Sequence, residues 1–121
     1  MDVAFSVAVA NLIAICPYVV PVHDLINKWR IDLIENYAID LFYNATTGKY
    51  SYTLVFQNRR VLGWDNALHH PELENYPHHL HLPDGTLLPS ILHGVPAQDV
   101  EIVRVSVEQY LQTKAIPTYP V

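Results

Sequence analysis

An α+β fold is predicted for this chain on three observations. From Trp29 to Asp65 apolar and polar residues alternate with a period of two, in runs separated by short turn signals, which is the pattern of an antiparallel meander. Ahead of it, residues 3–15 carry apolar side chains at helical spacings and stop at Pro17. Behind it, Val100, Val103, Val107, Tyr110 and Leu111 fall on one helical face. The expected architecture is an N-terminal helix, an antiparallel sheet of four to five strands, a histidine-rich loop and a C-terminal helix packed on one sheet face.

Each element has a local reason. Val3, Val7, Ala10 and Ala14, with Leu12 and Ile13, predict a buried or half-buried first helix. "YVVPVHDLI" reads as an extended connector or an edge strand, because Pro21 has no N–H to give to a ladder. Trp29, Ile31 and Leu33 then point one way, and Arg30, Asp32 and Ile34 the other. After a tight turn at "EN", the alternation resumes through Tyr37, Ile39, Leu41 and Tyr43. "NATTGK" is a second turn, with Gly48 free to take positive φ. "YSYTLVF" is a strand, "QNRR" a turn, and "VLGWD" a strand ending at Asp65. The chain then becomes rich in His, Pro and Asn, which predicts an irregular loop; "HHLHL" can add a short strand and "PDGT" a turn. Pro96 suits a first helical residue, but "VEIVRVSVEQ" also alternates, so the last helix starts either there or after Ser106 acting as N-cap. "AIPTYPV" is a tail, ordered or frayed.

At 121 residues and 13.8 kDa the chain suits one domain, taken as residues 1–121. Half of it is apolar and 16% is charged, so it can fill a core and does not read as disordered. A formal charge of −5 argues against a stand-alone nucleic-acid binder, although a few local cations still allow an acidic enzyme to act on RNA. The single cysteine, Cys16, forms no intrachain disulfide and reads as a small buried hydrophobe. "FSVAVANLIAICPYVV" resembles a targeting segment only superficially. Asp2 precedes it, Asn11 interrupts it, and it is too short to span a bilayer, so a cytoplasmic protein with no membrane partner is expected.

Five of the seven histidines lie between positions 69 and 81: His69, His70, His78, His79 and His81. Imidazole changes charge near neutral pH and also ligates metals, so clustering points to proton transfer or to an ion. If residues 78–82 are extended, His79 and His81 share a face and His78 takes the other. Asp65 can then supply a carboxylate ligand, or orient an imidazole by accepting its N–H. The segment contains no HExxH and no paired CxxC. Acid/base chemistry asks for two imidazoles across a scissile phosphodiester and a cation for the charge that develops there. Arg59 and Arg60 precede the Trp64–Asp65 strand end, with Arg30 and Arg104 as alternative cations. A purely structural reading has His69 and His70 capping turns around Pro71, solvated His78 and His79, and Asx-type bonds from Asp65 and Asn66. For one histidine that reading carries more weight; for five beside an Asp-Asn pair it carries less. His23 and His93, outside the cluster, are read as structural. Trp29 and Trp64 read as sheet-packing residues, although an exposed Trp64 would be able to stack a base.

"YSYTLVFQNRRVLGWDNALHHPELENYPHHLHLPDGTLLPS" resembles the central block of the TumE family, described as toxins of bacterial and archaeal toxin–antitoxin pairs. The resemblance lies in a tyrosine-containing strand, a turn, a motif of the form R-Y/W-D-N-A-P-H-H-P-E-L, a spacer, then F-P-H-H-K-H and DG. Here the pieces are Trp64-Asp65-Asn66-Ala67, His69-His70-Pro71-Glu72-Leu73, Pro77-His78-His79-Leu80-His81 and Asp84-Gly85. It covers residues 37–90 well and the flanking segments in outline. Leu68 stands where the family often has proline, Gly63 where it often has arginine, and Leu80 where it often has lysine. Fewer basic residues beside the histidines predict weaker phosphate binding. The resemblance implies a small toxin neutralised by a cognate antitoxin, commonly a helix-turn-helix protein, and leaves open whether the toxin self-associates.

The leading expectation is therefore a toxin acting as a metal-independent endoribonuclease with no cofactor. Asp65 orients, His69 or His79 is the general base, and His81 or His70 the general acid; Asn66 and His78 complete the candidate set. Arg59, Arg60 and Trp64 are the candidate RNA contacts. The alternatives are a metal-dependent hydrolase or metal-binding protein that holds a divalent ion on His79, His81 and Asp65, and a non-enzymatic interaction module.

Overall fold

The computed structural model describes residues 3–25 and 28–117, with side chains throughout these except at 20–25. Helix α1 (Val3–Ile15) is apolar almost all round; Phe5, Ala8, Val9 and Leu12 face the core and Pro17 follows its end. Among the described residues seven strands follow as one antiparallel sheet in sequence order: β1 (Val19–Leu25), β2 (Lys28–Leu33), β3 (Tyr37–Tyr43), β4 (Tyr50–Phe56), β5 (Arg59–Asp65), β6 (His79–His81) and β7 (Leu87–Pro89). Helix α2 (Pro96–Thr113) closes the chain and packs against α1.

The expected count of four to five strands was short. β1 is the edge strand that Pro21 allows, with a register irregularity between Val19 and Val22. β6 is the short strand that "HHLHL" offered, and β7, three residues long, is too short for a period of two to be read from sequence. The hairpins turn where expected. Glu35 and Asn36 have φ of 59° and 68°, and Gln57 and Asn58 have φ of 49° and 63°. Left-handed residues in pairs give turns whose twist suits the flanking strands. The last helix starts at Pro96, which surrenders no intrahelical bond at that position, and Ser106 is buried inside the helix instead of capping it.

Cross-strand register sorts the side chains into two faces. One row runs Trp29, Leu41, Tyr52, Trp64, Leu80, Leu88, and the next Ile31, Ile39, Leu54, Leu62. These rows meet Phe5, Leu12, Val100, Val103 and Val107 from the helices in one core. Full burial of each Leu or Ile contributes about 1.5–3 kcal/mol before chain entropy opposes it. The opposite face carries the intervening rows: Phe42, Ser51, Asp65, His79, Pro89, and Arg30, Asp40, Thr53, Gly63, His81, Leu87. Cys16 is buried, and burial pushes its thiol pKa up, in keeping with a packing role. The His23 side chain and residues 118–121 of the tail lie outside the described set.

Candidate active site

Asp65 ends β5 on the face away from the helices, directly across from His79 of β6; His81, two residues on, shares that face. The Asp65 carboxylate sits between the two rings, Oδ1 2.8 Å from His79 Nε2 and Oδ2 2.9 Å from His81 Nε2. The Ala67 N–H donates to Oδ1 at 3.0 Å, an Asx-type turn that fixes the carboxylate as the chain leaves the sheet. His79 is only 3% exposed, His81 16% and Asp65 21%, so the trio is sunk in the sheet with one side open.

The ring nitrogens differ in freedom. His79 Nδ1 lies 3.0 Å from the Pro77 carbonyl, which only accepts, so that nitrogen carries a hydrogen. Both nitrogens of His79 are thus committed. His81 has one nitrogen on Asp65, and among the described residues the other makes no hydrogen bond. Burial lowers the His81 pKa below the ordinary value of 6.5, helped by the nearby Arg60 charge and opposed by Asp65. His70 stands beside the trio, its ring edge-on to His79 with centroids 5.2 Å apart and its Nδ1 3.5 Å from a Glu72 carboxylate oxygen. His69 is one ring further out, 6.3 Å from His70, and exposed.

His78 goes elsewhere. It turns to the helix side, where its Nδ1 is 2.8 Å from the Tyr50 hydroxyl and its ring stacks on the Tyr50 ring. Burial lowers its pKa, against the pull of Asp99, a fully buried carboxylate that accepts from the His93 and Gly94 N–H groups at 3.1 and 2.7 Å. Asn66 is a staple: its Oδ1 accepts from Tyr50 N at 3.0 Å and its Nδ2 donates to the Gly48 carbonyl at 2.9 Å, tying the loop to the turn before β4. His93 is exposed. Trp64 has no exposed surface and packs in the core row, which removes it as a base-stacking platform.

Cations also sort cleanly. Arg30 makes a bidentate pair with Asp40, both bonds 2.7 Å, and Arg104 is held between Glu101 and Glu108 on α2. Neither is free for substrate. Arg59 is exposed at the start of β5 and makes no ion pair among the described residues. Arg60 begins near the far end of β5, yet its stem lies along the outer face over Gly63. A Cβ built on Gly63 would meet Arg60 Cδ at 2.8 Å. Gly63 is the cross-strand partner of His81, so the missing side chain makes the channel along which Arg60 reaches the histidines. Leu80 is fully buried against the helices, so its position faces the core and not the histidines. Sequence reasoning missed the role of Gly63; a glycine inside a strand is the signal for such a close approach. A cavity of about 510 Å³ lined by Lys49, Asn66, Leu68, His69 and Pro77 adjoins the loop beside the trio.

The geometry defines a small α+β protein that presents one carboxylate, a histidine cluster and an arginine on the open face of a sheet. The family model described as "Toxin TumE" matches residues 15–111, most of the chain, and the protein belongs to the TumE toxin family. No curated protein and no solved structure matches it. Among the described residues no helix is long and apolar enough to cross a membrane.

Proposed function

We propose that this toxin is an endoribonuclease whose reaction centre is the outer sheet face around Asp65, His79 and His81. The observation that carries the reading is the path of Arg60 over Gly63, which sets a cation without a carboxylate partner among the described residues beside two imidazoles and a carboxylate. Arginine suits a phosphodiester because its fork matches phosphate oxygens, and it stabilises charge as the phosphorane forms. The cavity containing Lys49 and His69 offers room for an adjoining nucleotide.

Without a metal, the expected acid/base scheme takes a more definite form. His79 has no nitrogen left for substrate, so proton transfer falls to His70 and His81. A neutral imidazole takes the 2′-hydroxyl proton, the 2′-oxygen bonds phosphorus, the bond to the 5′-oxygen breaks, and the second imidazole, charged, protonates that oxygen. The products are a 2′,3′-cyclic phosphate and a 5′-hydroxyl. Asp65 orients both rings of the trio. A second reading, that the trio holds an ion, is favoured by one ligand atom each of Asp65, His79 and His81 lying within 4.8 Å of the others. As for partners, a toxin family suggests an antitoxin, and RNA is the proposed substrate.

The test is incubation of purified, tag-free protein with single-stranded RNA and with the same oligonucleotide made 2′-deoxy throughout. Cleavage of the RNA by wild type and its loss in the His79→Ala/His81→Ala protein is the expected result. An intact RNA after incubation with wild-type protein that is toxic in cells would sink the proposal.

A further inference from the structure

The hydrogen position on His79 has a consequence for what lies between the three side chains. Its Nδ1–H donates to the Pro77 carbonyl, so the neutral ring turns a lone pair, at Nε2, toward Asp65 Oδ1 only 2.8 Å away. Two acceptors at that distance, with His79 3% and Asp65 21% exposed, repel unless something positive lies between them. A proton satisfies one such contact by burying an imidazolium. A divalent cation satisfies both contacts of the carboxylate at once, because His81 Nε2 approaches the other oxygen at 2.9 Å.

We infer that Asp65, His79 and His81 form a divalent-cation site. One ligand atom from each residue lies within 4.8 Å of the others, close enough to converge on one ion at about 2.0–2.2 Å with small side-chain shifts. The second shell has the form that metal-binding histidines use: the His79 N–H away from the ion is fixed by a backbone carbonyl, and Asp65 is held by the Ala67 N–H. The ligands stand on a paired two-strand ladder, two residues apart on β6 and directly opposite on β5, so their relative positions are set by the sheet. Two imidazoles and one carboxylate suit Zn²⁺ or a neighbouring divalent transition ion better than Mg²⁺, which prefers oxygen. Three protein ligands leave a position for water or a phosphate oxygen, which is the pattern of a catalytic site. Binding of the ion stands on this geometry alone; its use in catalysis rests on the ribonuclease reading, with His70 then moving protons beside it.

The probe is Zn²⁺ alone, and Mn²⁺ alone, titrated into tag-free protein stripped with chelator, followed by calorimetry and elemental analysis. Wild type and His78→Gln bind about one equivalent. Asp65→Asn, close in shape to the parent, and His79→Ala/His81→Ala bind at least about 100-fold more weakly. Where a variant fails to fold, the imidazole nitrogen resonances of wild type report instead: those of His79 and His81 move with Zn²⁺ and those of His78 do not. Absence of stoichiometric binding of either ion to wild type, wild-type affinity in Asp65→Asn, or unmoved His79 and His81 resonances overturns the site. RNA cleavage by metal-stripped protein that chelator leaves untouched overturns the ion's use in catalysis and keeps the ribonuclease reading. Zn²⁺ binding by protein that never cuts RNA does the reverse.

Discussion

His78 and His79 are neighbours in sequence and lie on opposite sides of the sheet, and the comparison separates packing from chemistry. His78 makes one side-chain hydrogen bond on the helix side, with Tyr50, against a core in which burial raises the Tyr50 and Tyr52 hydroxyl pKa values far above their usual range and the Tyr52 hydroxyl has no hydrogen-bond partner among the described residues. Asp99 anchors that region by taking two backbone N–H groups ahead of α2. The outer trio is also buried and hydrogen-bonded, but it opens to the surface beside Arg60 and His70. A polar cluster packed into the core holds the fold. One that converges its ligands toward an open side is equipped to act on something else.

Breaking each side gives opposite results. The largest effect is expected for His79→Ala/His81→Ala, which removes growth inhibition on induction and lowers RNA cleavage about 1,000-fold, whereas His78→Gln stays within a few-fold of wild type. On the helix side, Asp99→Ala leaves the His93 and Gly94 N–H groups without their acceptor and costs about 1–3 kcal/mol. Chemical denaturation reads that loss, and cleavage per folded molecule does not change.

Gly63→Ala sharpens the outer face. The new methyl displaces the Arg60 stem, so RNA binding weakens by about tenfold, as it does in Arg60→Ala, and combining the two adds little because they remove one contact. Fluorescence titration at several salt concentrations checks it: the Arg60→Ala slope falls by about 0.7, one phosphate contact on a single strand.

The smallest effect is on pH. Burial holds the folded His78 pKa below its unfolded value of 6.5, with Asp99, His93, His79 and Tyr50 the charged or titratable groups around it. The unfolded chain therefore binds more protons in that window, and stability rises with pH. The contribution is complete above pH 6.5 and declines as pH falls below it. Melting temperatures between pH 7.5 and 5.5 should fall less steeply in His78→Gln than in wild type.

Much of this was legible from residue order. Alternation from Trp29 to Asp65 placed the four strands β2 to β5, and the i, i+2 spacing put His79 and His81 together and His78 apart. β7 carried too few residues for periodicity to register, and Pro96 competed with a run of alternating valines that the helix overrides. Trp64 and Asn66 were ambiguous because burial and loop stapling depend on which strand lies alongside. The Arg60 path was invisible for the same reason: it depends on a strand register that sets Gly63 against His81.

The most direct measurement is single-turnover cleavage of single-stranded RNA by wild type, His78→Gln and His79→Ala/His81→Ala at matched folded concentration. Cutting by the first two, with the third reduced about 1,000-fold, is the predicted result. Equal cutting by the third protein, or its loss in His78→Gln alone, would contradict the assignment of the outer face as the reaction centre.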